Sequence, residues 1–226
     1  MNTIVRIGAV TFAALASVAA ASTQDAVALQ AACARFDRNA AIVGAGQTSA
    51  RISQDFVGFA GSDMNADRLV AGLARGVPIP LDAAEGVGTR PASTVRFLPP
   101  AGPMRYSSVY ISLAFAQQEL AGLGVTRPAP GDIKAALVGG TVATGGDGGT
   151  GRHVTLPGIL ALRSRGVAWA SIAQSQGVSV GAVMKAMNNA DYDLSVLHAH
   201  KIGAAIAIAM RTAAIEAPEV VGVQRH

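Results

Sequence analysis

The chain has 226 residues, 50% of them hydrophobic but only 4% aromatic and 14% charged, with a formal net charge of +4 and a single cysteine. A charged fraction well below the globular average of about 25%, joined to this much apolar surface, excludes an intrinsically disordered chain. One cysteine excludes an intrachain disulfide, and scattered Lys and Arg with no basic run disfavour nucleic-acid binding.

The first 21 residues, MNTIVRIGAVTFAALASVAAA, have the layout of a secretory signal peptide. Arg6 supplies a cationic start, residues 7–20 an apolar run, and Ala19 and Ala21 the small residues that precede cleavage before Ser22. The run is shorter than the roughly 20 residues that span a bilayer. An uncleaved anchor and a lipobox around Cys33 are the competing readings. Cleavage leaves 205 residues carrying +3, enough for one compact domain or two small ones.

Residues 24–36 alternate apolar and polar groups at helical spacing, and Asp37–Gly46 reads as a Gly- and Ala-rich break. Thr48 or Ser49 offers an N-cap for a helix through Phe59, with Ile52, Phe56 and Phe59 on one face and Gly61 closing it. Ser62 and Asp63 open a second helix that ends at Gly76, completing a helical hairpin. Residues 77–103 hold six prolines and read as an irregular, extended linker, with VPIPL and STVRFL strand-like in content but limited by proline to edge positions.

Ser107 or Ser108 is the expected cap of the longest helix, whose apolar face runs Val109, Leu113, Ala116, Leu120 and which Gly122 and Gly124 end. Pro130-Gly131-Asp132 starts a short helix closed by Gly139-Gly140. TVAT and RHVTL, flanking GGDGGTG, predict a β-hairpin. That glycine run lacks the Lys-Ser/Thr pair and following helix of a phosphate loop, and Asp147 alone does not make a Ca²⁺ loop. Residues 158–189 read as three short helices split at Gly166 and Gly177.

Ile172, Ala173, Gly177, Ser179 and Val183 sit at helix-turn-helix spacing. The third helix, SVGAVMKAMNN, offers only Lys185, Asn188 and Asn189 to base edges, so the unit reads as structural. Residues 194–216 predict a further helix, packed against the domain or a second copy, with the apolar core IGAAIAIAM bounded by Lys201 and Arg211. His198 and His200, two apart, diverge by about 200° on a helix and do not share a metal. Cys33 reads as a small apolar helix residue, and Trp169 as a half-buried core residue or a binding anchor.

Two stretches carry a family resemblance. One is Phe59-Ala60-Gly61-Ser62-Asp63-Met64-Asn65-Ala66-Asp67 with RLVAGLARG; the other runs from Pro99-Pro100-Ala101-Gly102-Pro103-Met104 through Tyr106 and ISLAFAQQEL to the AALVGGTV, LPGILALRSRG and VAWASIAQSQG segments. Over roughly residues 50–190 the chain resembles exported periplasmic or secreted proteins of Gram-negative bacteria. The resemblance brings no catalytic residue to transfer.

These readings predict a mainly α protein: a small helical domain with a minor β-hairpin and a Pro-rich extended connector. The divisions are a signal peptide (1–21), a helical hairpin region (22–76), the connector (77–105), a helical region with the hairpin and the helix-turn-helix-like unit (106–190), and a C-terminal helix and tail (191–226). The expected role is a non-enzymatic envelope or secreted interaction protein with no cofactor or metal, meeting a protein partner or a second copy. Its candidate surface is Pro99, Pro100, Arg105, Tyr106 and Trp169, where extended proline segments meet aromatics. Membrane contact is expected only through a retained leader. The alternatives are a periplasmic enzyme with a non-local active site and, if the leader is not an export signal, a DNA-binding regulator.

Overall fold

A computed structural model describes residues 11–83, 94–144 and 152–216, with side chains over 24–83, 94–144 and 152–211. The glycine run with Asp147, the leader up to residue 10, Pro91 and His226 lie outside the described residues. The fold is mainly α: among the described residues there are eight helices and two small antiparallel two-stranded sheets.

Helix α1 spans Thr11–Val43. Its buried side chains are Leu29, Ala32, Phe36, Ala40 and Val43, spaced three and four apart along one face. The expected break at Asp37–Gly46 is therefore a single point, Gly44, whose φ of 99° only glycine adopts readily. Alanine-rich sequence does not interrupt a helix; alanine is its best former. Helix α2 (Ala45–Ala60) follows at once, so Thr48 is not its cap but a buried residue of its first turn, donating to the Gly44 carbonyl at 3.0 Å.

Gly61 (φ 79°) ends α2, and Ser62 caps α3 (Asp63–Arg75) by accepting from the Asn65 amide at 3.1 Å. The segment after α3 is more ordered than a linker. Strands β1 (Ile79–Asp82) and β2 (Thr94–Phe97) pair antiparallel with Ile79 opposite Phe97 and Pro80 opposite Arg96. Proline confines a strand to an edge, and in a two-stranded sheet both strands are edges, so Pro80 costs the sheet no neighbour. Ile79, Leu81 and Phe97 face the core. Asn65 fastens β1 to the helices: its amide nitrogen donates to the carbonyls of Ala60 (3.1 Å) and Asp82 (2.8 Å), and its oxygen accepts from the Asp82 amide (3.0 Å).

Helix α4 (Tyr106–Gly122) is the axis of the molecule. Every residue from Val109 to Ala116 is buried, because α1, α2 and α3 surround it together with the later helices α5 (Pro130–Val138), α6 (Ile159–Ser164) and α8 (Val180–Glu216). The single apolar face expected from the sequence is thus only part of its contact surface. Arg105, not Ser107 or Ser108, occupies its N-cap position. The capping carboxylate comes from another helix: Asp37 of α1 accepts from both the amide and the hydroxyl of Ser107 at 2.9 Å. Sequence-local cap rules do not see a partner 70 residues away.

Beyond α4 the order is α5 (Pro130–Val138), the expected hairpin of β3 (Gly140–Thr144) and β4 (Arg152–Leu156), α6 (Ile159–Ser164), α7 (Trp169–Gln176) and α8 (Val180–Glu216). Gly177 turns in the left-handed region and Ser179 Oγ accepts from the Ala182 amide at 3.2 Å, as the helix-turn-helix spacing predicts. The last of the three expected short helices is not short. α8 continues without a break past Ala190 to Glu216. Its first half packs along α1, where Arg35 Nε meets Asp191 at 2.8 Å and Asn39 donates to the same carboxylate at 2.8 Å. The expected packing of the second half against the domain is not seen: residues 199–211 are all exposed.

Candidate functional site

Two adjoining hollows lie along α1, on either side of its contact with the start of α4. One, of about 390 Å³, is bounded by Leu29, Cys33, Arg105, Ser107, Arg163 and Trp169 among others; the larger, about 670 Å³, by Ala34, Arg38, Ala41, Ala45, Arg105 and Tyr106. Asp37 and Arg105 line both, so they form one groove with Arg105 at its middle. Ala34, Arg38, Ala41 and Ala45 follow the three–four helical spacing, and three of these four are alanines, which leaves that wall low and smooth.

Of the residues expected at the surface, the structure brings Arg105, Tyr106 and Trp169 to this groove. Arg105 is exposed. Tyr106 is half-buried, its hydroxyl 3.3 Å from the Ala45 carbonyl and 3.1 Å from Ser49 Oγ, which ties the start of α4 to the start of α2. Trp169 is half-buried too. Its ring meets Phe115 edge-on at 5.8 Å, and the Arg163 guanidinium lies 5.0 Å over its centre, within cation–π range. Pro99 is buried and Pro100 exposed, and neither lines the groove. They belong to the chain reversal that returns β2 to α3, where the Met104 amide donates to the Leu73 carbonyl at 3.2 Å.

The sequence reading missed Arg38, Asp37 and Arg163. Taking residues 37–46 for a loop hid the helical face on which Arg38 sits. Arg163 could have been found from its position six residues before Trp169 across a glycine turn. The groove thus carries three guanidinium groups, Arg38, Arg105 and Arg163, against one carboxylate, and that carboxylate is already engaged by Ser107. Its field is positive over an apolar floor.

Cys33 opens into the same groove. Burial pushes its thiol up, the neighbouring Ser107 side chain opposes the rise, and the Asp37 charge adds to it. A thiol kept protonated at neutral pH is a poor nucleophile and a poor metal ligand. His198 and His200 lie on α8, where helical geometry sends them to different sides, and among the described residues no group of three or more His, Cys, Asp or Glu side chains is placed to hold a metal.

Comparison of the chain with protein-family profiles, curated proteins and solved structures gave no match.

The helix-turn-helix unit is committed to the interior on both sides of its turn. Ile172, Ala173 and Val183 are buried, and the Ser179 amide donates to Gln118 of α4 at 3.0 Å. The side-chain oxygen of Asn188 accepts from the Arg35 guanidinium, which ties this end of the unit to α1.

Proposed function

We propose that the protein is an exported, non-enzymatic interaction protein, and that the groove between α1 and α4 receives an acidic, extended segment of a protein partner. The observation that carries this reading is the placement of Arg38, Arg105 and Arg163 along one apolar channel, with the single carboxylate there turned inward as a helix cap. Arginine forks match carboxylates in a bidentate way, and aromatic and Arg side chains in a partly desolvated setting supply most binding energy at interfaces. Trp169 with Arg163 stacked on it is such an anchor.

Export is supported by the leader, with its Arg6 start, the apolar run over residues 7–20 and the small residues Ala19 and Ala21 before Ser22. The resemblance to exported Gram-negative proteins points the same way.

The test is affinity capture from the cell envelope, identification of the partner, and direct titration of that partner against purified variants. Arg105→Glu combined with Arg38→Glu reverses two exposed charges. The expected result is at least about a tenfold loss of affinity, equivalent to roughly 1.4 kcal/mol, with an unchanged circular dichroism spectrum. Trp169→Ala weakens capture in parallel. Equal affinity of the charge-reversed variant would contradict the groove as the binding site.

A further inference from the structure

Of the three groove arginines, Arg163 has its guanidinium held in place. It stands in the last turn of α6, and its Nη1 donates to the Val167 carbonyl at 3.0 Å, across the Gly166 turn. Its Cζ lies 5.0 Å from the centre of the Trp169 ring. That ring is itself fixed, because fully buried Phe115 meets it edge-on. These contacts engage Nη1 and one side of the guanidinium. Nε and Nη2, which form the side-on edge of the fork, have no hydrogen-bond partner among the described residues. The Arg163 charge is felt at the Cys33 thiol, in the same hollow. Arg38 and Arg105 are different. Both are exposed, and among the described residues neither makes a hydrogen bond or an ion pair.

We infer that Arg163, presented by Trp169, is the residue that reads a carboxylate of the bound segment, whereas Arg38 and Arg105 supply charge alone. The inference rests on the groove receiving an acidic segment, and adds which cation makes the geometric contact. A carboxylate is planar, and its two oxygens each accept one proton from a guanidinium edge. The free Nε–Nη2 edge of Arg163 offers that pair of protons. A lysine ammonium carries the same charge without the fork. Fixing a free arginine costs rotamer freedom that a pinned one has already lost, which favours Arg163 over its two exposed neighbours. The seat also lies beside buried Leu29 and half-buried Cys33. Apolar neighbours lower the local dielectric and strengthen a charge-assisted hydrogen bond. Trp169 acts through Arg163 and is a positioning residue.

Substitutions that keep the charge separate these roles. The test is calorimetric titration of the purified protein with an acetylated, amidated octapeptide of alternating Glu and Ala, and with the same peptide carrying Gln in place of Glu. All variants are titrated well below the lowest melting temperature in the set, so that each is folded. Wild type is expected to bind the Glu peptide and to leave the Gln peptide unbound. Arg163→Lys is expected to bind the Glu peptide about tenfold more weakly or worse, with an unchanged dependence of affinity on salt, since no charge is lost. Arg38→Lys and Arg105→Lys are expected to match wild type. Trp169→Phe keeps an aromatic platform and is expected to stay within about threefold of wild type, whereas Trp169→Leu falls about tenfold. Equal affinity of Arg163→Lys and wild type would overturn the inference and leave the groove as the binding site. So would losses at Arg38→Lys or Arg105→Lys as large as that at Arg163→Lys, or equal affinities of the Phe and Leu variants at Trp169. A Glu peptide that fails to bind wild type would contradict the groove reading itself, and this inference with it.

Discussion

Glu119 sits on α4 at 6% exposure with neither carboxylate oxygen hydrogen-bonded. Burial raises its pKa from 4.5 to about 7, so the folded protein holds a proton there that the unfolded chain releases. Where the folded state binds more protons, stability falls as pH rises. The loss runs from about pH 4.5 to pH 7 and then levels off, with an order of magnitude of 2–3 kcal/mol. Thermal melts across that range are expected to show wild type weakening, while Glu119→Gln, neutral throughout, is flatter and more stable than wild type at pH 8. Parallel profiles for the two proteins would refute this assignment. Asp37 is the opposite case, a carboxylate whose charge has a structural task at the N-terminus of α4. Asp37→Ala is expected to cost about 1–2 kcal/mol in urea unfolding, the range for losing a helix cap, and to widen the groove. Neither residue was legible as a site. Glu119 has the surface look of any glutamate in a helix, and Asp37 finds its partner 70 positions away.

At the scale of elements, the helix ends marked by local chemistry were readable. Gly61, Gly76 and Gly177 all close helices in the left-handed region, and Ser62 and Ser179 cap the helices that follow them. The β3–β4 hairpin was readable as well, because its two runs flank a glycine turn. What failed was a reading in which composition stood in for geometry: alanines and two glycines taken for a loop after Asp37. After Val77 the strand-like content of VPIPL and STVRFL at edge positions was readable, but their pairing was not. The β1–β2 ribbon is specified by tertiary contact instead. A Cβ at Gly72 of α3 would fall 2.3 Å from Ile79 Cγ1. In an exposed helix Gly→Ala gains up to about 1 kcal/mol. Here Gly72→Ala is expected to destabilise by about 1–3 kcal/mol, and that loss is expected to be smaller in an Ile79→Ala background, which lacks both of the carbons the new Cβ meets. Additive effects of the two substitutions in denaturant titrations would contradict the close contact. Asn65→Ala, which orphans the Ala60 and Asp82 carbonyls and the Asp82 amide, is expected to cost roughly 2–4 kcal/mol.

At the scale of the whole molecule, the core is assembled on α4, with α1 and α8 laid beside it and bonded to each other through Arg35, Asn39 and Asp191. The mainly α class was legible, since helical spacing recurs along most of the chain. The groove was half legible: Arg105, Tyr106 and Trp169 stood out by type, whereas Arg38 and Arg163 join them only through the packing of α1 on α4 and α6 on α7. On the proposed cleavage after Ala21, residues 1–21 are no part of the mature protein, so a chain starting at Ser22 is expected to melt within a few degrees of the full-length protein. A large drop would mean that residues 1–21 belong to the fold. The account as a whole depends on export, and the most direct measurement is N-terminal sequencing of the native protein after cell fractionation. It predicts Ser22 as the first residue, in the periplasmic or envelope fraction. Met1 intact in the cytosol would contradict it.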